Sequence, residues 1–188
     1  MWKLTKPKPV KLIIGILAAD QSCLATAVEA ITSKFGKADL ISDTWPFDQT
    51  DYYKDQTGEH ILRQFISIER LTDPGNLAKI KHKTNKLEQK LARRLSGGLA
   101  AKLAASVPRP INLDPGIIEP SKLVLATTKN YSHRIYIGKK MYAEVTLIFD
   151  KGRWRPLEYT YPDYKQPCYL DFFEKVRTRL LEQLRSKH

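Results

Sequence analysis

The segment at residues 10–18 places the strongest limit on how this chain folds. It is apolar apart from Lys11, and it includes Gly15. A strand that is buried on both faces shows such a run, without the alternation of a half-exposed strand. The longest uninterrupted apolar stretch, residues 12–19, is far shorter than the roughly 20 residues that a membrane span requires. The segment therefore predicts the central strand of a sheet in a protein that does not cross a membrane.

Strand-like and helix-like patterns follow one another along the rest of the chain. Apolar residues at helical spacing, capped by Ser22 and by Asp73, predict two helices. Alternating and β-branched runs predict strands. The predicted order is strand 10–18, helix 22–35, strand 38–45, strand 61–71, helix 73–95 and strand 122–128, then strands 133–137, 141–149 and 154–159 and a helix capped by Asp171. Between these elements, residues 112–116 (Asn-Leu-Asp-Pro-Gly) are interpreted as a turn and residues 99–106 as a short extra helix.

This order predicts an α+β fold with a ferredoxin-like βαββαβ core, in which an antiparallel sheet carries its two helices on one face. The later strands form a hairpin or meander extension, and they either lengthen the main sheet or curl into a second one. We divide the chain into a basic flexible tail at residues 1–9 and a single α+β domain at 10–188. That domain contains an insertion at 95–110 and the β extension at 130–165.

The cysteines and carboxylates indicate neither a disulfide framework nor a metal centre. Cys23 and Cys168 lie far apart and follow no metal-ligand spacing, and no signal-peptide pattern is present. The sequence thus predicts a reduced, cytoplasmic protein. Four acidic residues between positions 48 and 59 lack the order of a calcium-binding loop. We predict no metal site and no cofactor.

The charge of the chain points to anionic partners. The formal net charge is +12, and the segments 73–96 and 121–165 each carry +5, whereas residues 12–72 carry −4. A basic chain of this kind suggests nucleic acid, phosphorylated ligands or anionic surfaces as partners. The polar face of helix 73–95 is rich in lysine and arginine and is able to follow a phosphate backbone. A solvated basic helix face is the open alternative.

Eight short strings, in a fixed order, resemble a known family. They are TDYY at 50–53, LTDP at 71–74, KTNKLE at 83–88, NLDPG at 112–116, KLVLATTK at 122–129, HRIY at 133–136, YAEVTL at 142–147 and TYPDY at 160–164. Together they resemble the bacterial family catalogued as domain of unknown function 4416, which carries no assigned activity. The chain departs from the family pattern at residues 139–141, where a glycine-bearing hairpin is expected, and at the insertion-like residues 95–107.

Some proteins similar to this family are described as GTP-binding, which is an expectation that the residues can test. A phosphate-cradling loop needs G-x-x-x-x-G-K-[ST] between a strand and a helix, because its glycines let backbone amides reach the phosphates. After the first strand this chain reads Gly-Ile-Leu-Ala-Ala-Asp at 15–20, with no lysine nearby. The sequence therefore argues against GTP hydrolysis by a P-loop mechanism.

Four residues are candidates for acid–base chemistry. His133 opens one predicted strand and Glu144 lies on the next, so the two side chains can pair, and a carboxylate beside an imidazole is the minimum for general acid–base catalysis. A structural cross-strand pair is the alternative. Asp114 is either a turn residue or a site carboxylate, with the turn favoured. Asp163 lies in a loop that is either functional or a packed lid.

A second group of residues is predicted to bind a phosphate-bearing ligand. Basic and aromatic side chains alternate in this part of the chain, so that cations can hold a phosphate while rings stack a base. The predicted ligand-binding residues are Lys122, Lys129, Arg134, Tyr136, Tyr161 and Tyr164. Tyrosines at the edge of the core are the alternative interpretation.

These observations leave three hypotheses for function. The first, which we favour, is binding of a nucleotide or nucleic acid through the basic and aromatic surface. The second is an enzyme of unknown reaction that uses His133, Glu144 and Asp114. The third is a structural or protein-interaction module whose acidic segment at 12–72 meets a basic partner. The sequence does not choose an oligomeric state.

Overall fold

A computed structural model describes residues 2, 4–48, 54–58, 60–96 and 108–186. Its helices and strands are β1 Lys11–Ala18, α1 Gln21–Phe35, β2 Ala38–Ile41, β3 Trp45–Pro46, α2 Lys54–Thr57, β4 Leu62–Ile68, α3 Leu77–Ser96, β5 Ile111–Ile118, β6 Lys122–Thr127, β7 Ile135–Tyr136, β8 Tyr142–Asp150, β9 Arg153–Pro156 and α4 Pro167–Arg185. Short 3₁₀ turns at Pro74–Asn76 and Pro162–Lys165 precede α3 and α4. The predicted helix at 99–106, and most of the predicted insertion, lie outside the described residues.

The fold is α+β, and its strands form one antiparallel sheet. The strand order is β2-β4-β1-β5-β6-β8-β7, with β3 paired to β4 and β9 paired to β8. β1 is an interior strand, as its apolar run predicts, because β4 and β5 flank it. The strands that follow Tyr131 extend this same sheet. The sequence allowed either one sheet or two, and the structure has one.

Helices cover both faces of the sheet. On one face, alternate residues of β1 such as Ile14 and Ile16 pack with α1 and α3. On the other face, Ile13 and Phe65 pack with the apolar side of α4. Burial on both faces explains why β1 has no polar alternation. Its one charged residue, Lys11, is fully buried and donates hydrogen bonds to Asp39 and Gln183.

Strand β4 differs from the half-buried strand that its alternating pattern predicts. Arg63 and Ser67 were expected on a polar, solvent-facing side, yet both are buried, as is Phe65 between them. The reason is that α4 packs on this face, and a helix more than a hundred positions along the chain leaves no trace in the local pattern. Arg63 is therefore a buried charge, and it needs partners inside the fold.

The string at 112–116 is a strand and not the predicted turn. Asp114 faces Gly15 of β1 in an antiparallel ladder that covers the whole of β5. β6 joins β5 only from Gly116 onward, so the first half of β5 has one strand neighbour. The strand that follows α3 along the chain is accordingly β5, and β6, which was predicted to come directly after α3, is the next strand outward in the sheet.

Other element boundaries differ by a few residues. Asp20, and not Ser22, caps α1, because its carboxylate accepts a hydrogen bond from the amide of Cys23 at 2.8 Å. α4 begins at Pro167, before the predicted cap at Asp171. Within the described part of the chain, no helix is both long and apolar enough to cross a membrane.

Candidate functional site

The Thr-Tyr-Pro-Asp-Tyr string at residues 160–164 connects two polar clusters. Its first residue donates a hydrogen bond from its side chain to a carbonyl oxygen of β8 at 2.6 Å. Tyr161 accepts a hydrogen bond from Arg134 and Asp163 accepts one from Arg63, each at 2.8 Å. We call this string the 160–164 segment. Because its side chains point to different partners, one short loop holds both clusters in place.

The first cluster lies where β8 faces the loop before β7. Glu144 is opposite Leu125 in the ladder, so its side chain shares the face of the sheet that α4 covers. Its Oε2 accepts hydrogen bonds from Arg134 Nε at 2.7 Å, and His133 Nε2 lies 3.2 Å from the same oxygen. Glu144 and Arg134 are both buried. The predicted pairing of His133 with Glu144 is thus present in the structure, with Arg134 as a third member.

Arg134 is engaged through all three of its nitrogen atoms. Besides Glu144 and Tyr161, it donates to the carbonyl oxygen of Lys129 at 3.1 Å, and its guanidinium lies 4.7 Å from the ring centroid of Tyr131. Burial acts to lower the pKa of Arg134, but the hydrogen bond to Glu144 and the charge of that carboxylate raise it above its ordinary value. Arg134 is therefore a fixed cation that positions the loop around it.

Aromatic rings cover this cluster and remain open to solvent. The ring of His133 stacks on Tyr159, with centroids 4.2 Å apart, and lies nearly parallel to Tyr131 at 6.1 Å. Tyr131, Tyr159 and Tyr161 are exposed by 56%, 38% and 45%. We call these three tyrosines with His133 the aromatic surface. Exposed rings held above a buried ion pair provide flat faces for stacking.

The second cluster surrounds Arg63. Its Nη2 donates to Asp163 at 2.8 Å, and its Nη1 lies 3.9 Å from Asp114 Oδ2. Rings of Phe47, Phe65 and Tyr164 lie 5.1, 5.2 and 5.7 Å from the guanidinium carbon. Asp114 and Asp163, two of the predicted catalytic residues, thus meet at a cation that the sequence reasoning placed on the surface.

Glycine in β1 makes room for this arginine. A Cβ at Gly15 would lie 3.0 Å from Arg63 Nη1 and 3.0 Å from a ring carbon of Phe65. Burial acts to lower the pKa of Arg63, but Tyr164 and the carboxylates of Asp163 and Asp114 raise it well above its ordinary value. Burial raises the pKa of Asp163, and Arg63 acts against that rise. The positive charge of Arg63 and the negative charges of Asp163 and Asp114 therefore stabilise one another.

Side chains of α3 complete the open edge of β5. The amide of Leu113 donates to Glu88 at 2.9 Å, and the carbonyl of Leu113 accepts from Lys81 at 2.9 Å. Lys81 also lies 3.6 Å from Asp114, and Arg109 donates to Glu88 at 2.6 Å. Burial raises the pKa of Glu88, whereas Lys81 and Arg109 oppose that rise.

A cavity of about 360 Å³ opens beside this edge, between α3 and the end of β6. Six of its eight lining residues are charged or polar. It is lined by Lys81, Asn85, Glu88, Gln89, Ala92, Pro108, Arg109 and Thr128. Two of the polar side chains that face it, Lys81 and Glu88, already bind the backbone of β5. We therefore assign this cavity a structural origin in the divergence of β5 from β6.

The remaining predicted site residues are placed apart from the two clusters. Lys122 is at the far end of β6 from Lys129 and pairs with Glu119 at 2.9 Å. Tyr136 is exposed on the edge strand β7. Tyr164 is buried within the aromatic core beneath α4. A buried ring of this kind packs the core, so Tyr164 does not belong to a ligand-facing surface.

Several residues of the two clusters and of the β5 edge have little signal in the sequence. The alternating pattern of its strand predicts a solvent-facing Arg63. Tyr159 lies at the end of a predicted strand, where nothing distinguishes it from a strand residue. Lys81, Glu88 and Arg109 looked like ordinary members of a basic helix and a loop. The only sequence signal for any of them is a glycine, Gly15, in the middle of a buried strand, which indicates a close approach by another group.

In the described ranges, no three His, Cys, Asp or Glu side chains are grouped so as to hold a metal ion.

Comparison with known proteins gives a family. A family model described as a domain of unknown function, DUF4416, matches residues 8–180. The chain belongs to this family. The match covers both polar clusters and the 160–164 segment, so the whole candidate site lies within the family domain. No curated protein and no solved structure matches the chain.

Proposed function

We propose that the protein binds a phosphate-bearing ligand, a nucleotide or a nucleic acid, at the aromatic surface. The observation that carries the proposal is the exposure of three tyrosine rings around His133 and above the buried Arg134. Base–aromatic stacking contributes about 1–3 kcal/mol per base in proteins that bind single strands. Rings without such a role are usually buried or scattered singly.

The loop before β7 supplies positive charge beside these rings. Lys129 is exposed at the end of β6, and its carbonyl oxygen is fixed by Arg134. Since Glu144 compensates the charge of Arg134, the cation that would meet a phosphate is Lys129. Arg134 acts as a positioning residue, because it holds the carbonyl of Lys129 and the hydroxyl of Tyr161.

The proposal is tested by binding measurements with a single-stranded oligonucleotide and with mononucleotides over a salt series. Tyr159→Ala and Tyr131→Ala should each weaken binding of the single strand by about tenfold or more. Lys129→Ala should weaken it, whereas Lys122→Ala, which removes the same charge at the other end of β6, should not. Absence of binding at low salt, or equal effects of the two lysine substitutions, would refute the proposal.

A second candidate function is acid–base catalysis by His133 with Glu144. The observation in its favour is the 3.2 Å distance between His133 Nε2 and a buried carboxylate oxygen. Asp114, the third residue predicted for an enzyme, contacts Arg63 and Lys81 instead. Nucleotide or oligonucleotide turnover that is lost in His133→Asn, with binding retained, would support this function. Binding without any turnover would exclude it for these substrates.

We also propose that β1, α1, β2, β4, α3 and β5 form a ferredoxin-like unit. The order β2-β4-β1-β5, its antiparallel pairing and the packing of α1 and α3 on one face support this. We likewise propose that the protein lies in the cytoplasm, because its two cysteines are free thiols. An experimental structure tests the first statement, and fractionation of cells tests the second.

A further inference from the structure

The exposed side of α3 carries a straight row of positive charge. Residues that are exposed on this helix recur at intervals of three and four, so they form one stripe along its length. The stripe consists of Lys79, Lys83, Lys86, Lys90, Arg93 and Arg94. From Lys79 to Arg93 it spans about 21 Å at a rise of 1.5 Å per residue. We call these six residues the α3 stripe.

Nothing in the described part of the chain neutralises this row. None of the six side chains forms an ion pair with any described carboxylate. Glu88 is the single acidic residue of α3, and it is turned inward to Arg109 and the backbone of β5. Six like charges on one helix face repel one another, and a bound polyanion would relieve that repulsion.

The turn between β7 and β8 extends the same surface. His82 of α3 forms a 2.6 Å hydrogen bond with the carbonyl oxygen of Lys139. The amide of Lys140 donates to the hydroxyl of Tyr136 at 3.3 Å. Lys139 and Lys140 are exposed, and both adopt positive φ angles of 55° and 59°, which turn this short loop tightly against α3. Two more cations therefore lie beside the first turns of the stripe.

We propose that the α3 stripe binds the phosphate backbone of a double-helical nucleic acid. This inference rests on the proposed function, since it assigns the phosphate-bearing ligand to nucleic acid and gives a second contact surface for it. A duplex carries one charge per about 1.7 Å of its axis, so a rigid row of 21 Å faces roughly a dozen phosphate charges. A duplex is also stiff over this length, since its persistence length is about 150 base pairs, so its phosphates can face a straight helix.

An anionic membrane surface fits the stripe less well. A helix that binds in the plane of a bilayer inserts an apolar face between the lipids. The apolar face of α3, which includes Leu77, Ile80 and Leu91, is buried against the sheet. The exposed residues of α3 are charged or polar, so this helix offers electrostatic contact without insertion.

Counterion release gives the expected magnitude. If all six stripe residues neutralise phosphates, the slope of log K against log salt is about −5 for a duplex. Replacement of three of them by glutamine, in the variant Lys83→Gln/Lys86→Gln/Lys90→Gln, should reduce the slope to about −3. At physiological salt the same change should weaken duplex binding by about a hundredfold. All three side chains are exposed, so folding should be unaffected.

The experiment compares fluorescence anisotropy of blunt duplex DNA and duplex RNA with pelleting of phosphatidylserine-containing vesicles. The matched control, Lys151→Gln/Arg153→Gln/Lys175→Gln, removes the same charge from exposed positions on the β8–β9 turn and α4. We expect the control to keep the slope of the unchanged protein. Thermal unfolding of each variant verifies the fold.

The outcomes separate this inference from the proposed function. Duplex binding that follows the stripe variant and ignores the control supports the inference, whether or not Tyr159→Ala affects single strands. Equal loss in both triple variants, no duplex binding, or binding to vesicles alone overturns it. Tyrosine-dependent binding of single strands without duplex binding would keep the proposed function and reject the α3 stripe as a site.

Discussion

Replacement of Arg63 by methionine should strongly destabilise this protein. Methionine keeps much of the apolar volume beside Phe47, Phe65 and Tyr164, but it removes the only cation within reach of Asp163 among the described residues. Asp163 is 5% exposed, so water does not replace the lost partner. A single removal from a buried ion pair leaves an uncompensated charge, which typically costs about 3–5 kcal/mol.

The geometry agrees with the middle of that range. At an effective dielectric constant of 20, attraction across 2.8 Å between Arg63 and Asp163 is about 6 kcal/mol, and across 3.9 Å to Asp114 about 4 kcal/mol. Desolvation of the ions offsets much of this attraction. Asp114 keeps Lys81 at 3.6 Å and is partly exposed, so the remaining cost falls mostly on Asp163. We therefore expect a loss of about 4 kcal/mol in the free energy of unfolding at neutral pH.

The assay is urea unfolding of the variant and of a matched control, Arg155→Met. Arg155 also lies 2.8 Å from a carboxylate, that of Asp150, but both side chains are about half exposed, so its loss should cost about 0–1 kcal/mol. Burial raises the pKa of Asp163, and loss of Arg63 should raise it further. The Arg63→Met deficit should therefore shrink as the pH falls through that raised pKa. Similar small losses in both variants, or a deficit that grows on acidification, would refute the reasoning.

Three further predictions concern packing, capping and the aromatic core. Gly116→Ala places a Cβ 2.6 Å from the Leu125 side chain and should cost about 1–3 kcal/mol in urea unfolding, and a neutral result would contradict the close approach of β6. Asp20→Ala should cost about 1 kcal/mol. Burial alone would raise the pKa of Asp20, but hydrogen bonds from Cys23 and Ser22 lower it. The stability difference between Asp20→Ala and the unchanged protein should therefore disappear as the pH falls through the lowered pKa. A difference that persists in acid would argue against the cap. Tyr164→Phe removes a buried hydroxyl that has no described partner and should leave stability equal or slightly higher, with ligand binding unchanged; weaker binding at equal stability would return Tyr164 to the ligand site.

The spacing of apolar residues predicted the elements that are buried on both faces or along one helix face. β1 is apolar because both of its faces are covered, and α1 and α3 show helical spacing because each has one face in the core. The pairing of His133 with Glu144 was also predictable, since both lie in neighbouring segments joined by a short connection. In each case the pattern that indicates the structure lies within one short stretch of sequence.

The string at 112–116 was misinterpreted because its residues suit a turn in isolation. Within a strand, alternate residues direct their amide and carbonyl groups to the same side. Leu113 directs its groups away from β1 to Glu88 and Lys81, so Pro115 faces that side as well. β6 has not yet joined β5 there, and a missing N–H costs nothing on an open edge. Gly116 then allows β6 to approach.

The Arg63 cluster was unpredictable for a different reason. Arg63 and Asp163 are separated by 100 positions, and their contact depends on α4 closing the second face of the sheet. An arginine on an alternating strand is normally solvent-facing, so local pattern assigns it to the surface. Only the complete fold reveals that the position is buried, and that its charge requires the carboxylates which the sequence reasoning had assigned to catalysis.

The 160–164 segment makes the stability of the core and the shape of the aromatic surface interdependent. Tyr161 and Asp163 are two positions apart, and they bind Arg134 and Arg63 respectively. A change that removes the partner of Asp163 also loosens the 160–164 segment, and this segment holds Tyr161 over Arg134. Arg63→Met should therefore weaken single-strand binding even under conditions in which the protein remains folded, although Arg63 is too deeply buried to touch a ligand. Arg155→Met breaks an ion pair with Asp150 and leaves the hydrogen bonds of the 160–164 segment in place, so the same pair of variants distinguishes coupling through this segment from a general loss of stability.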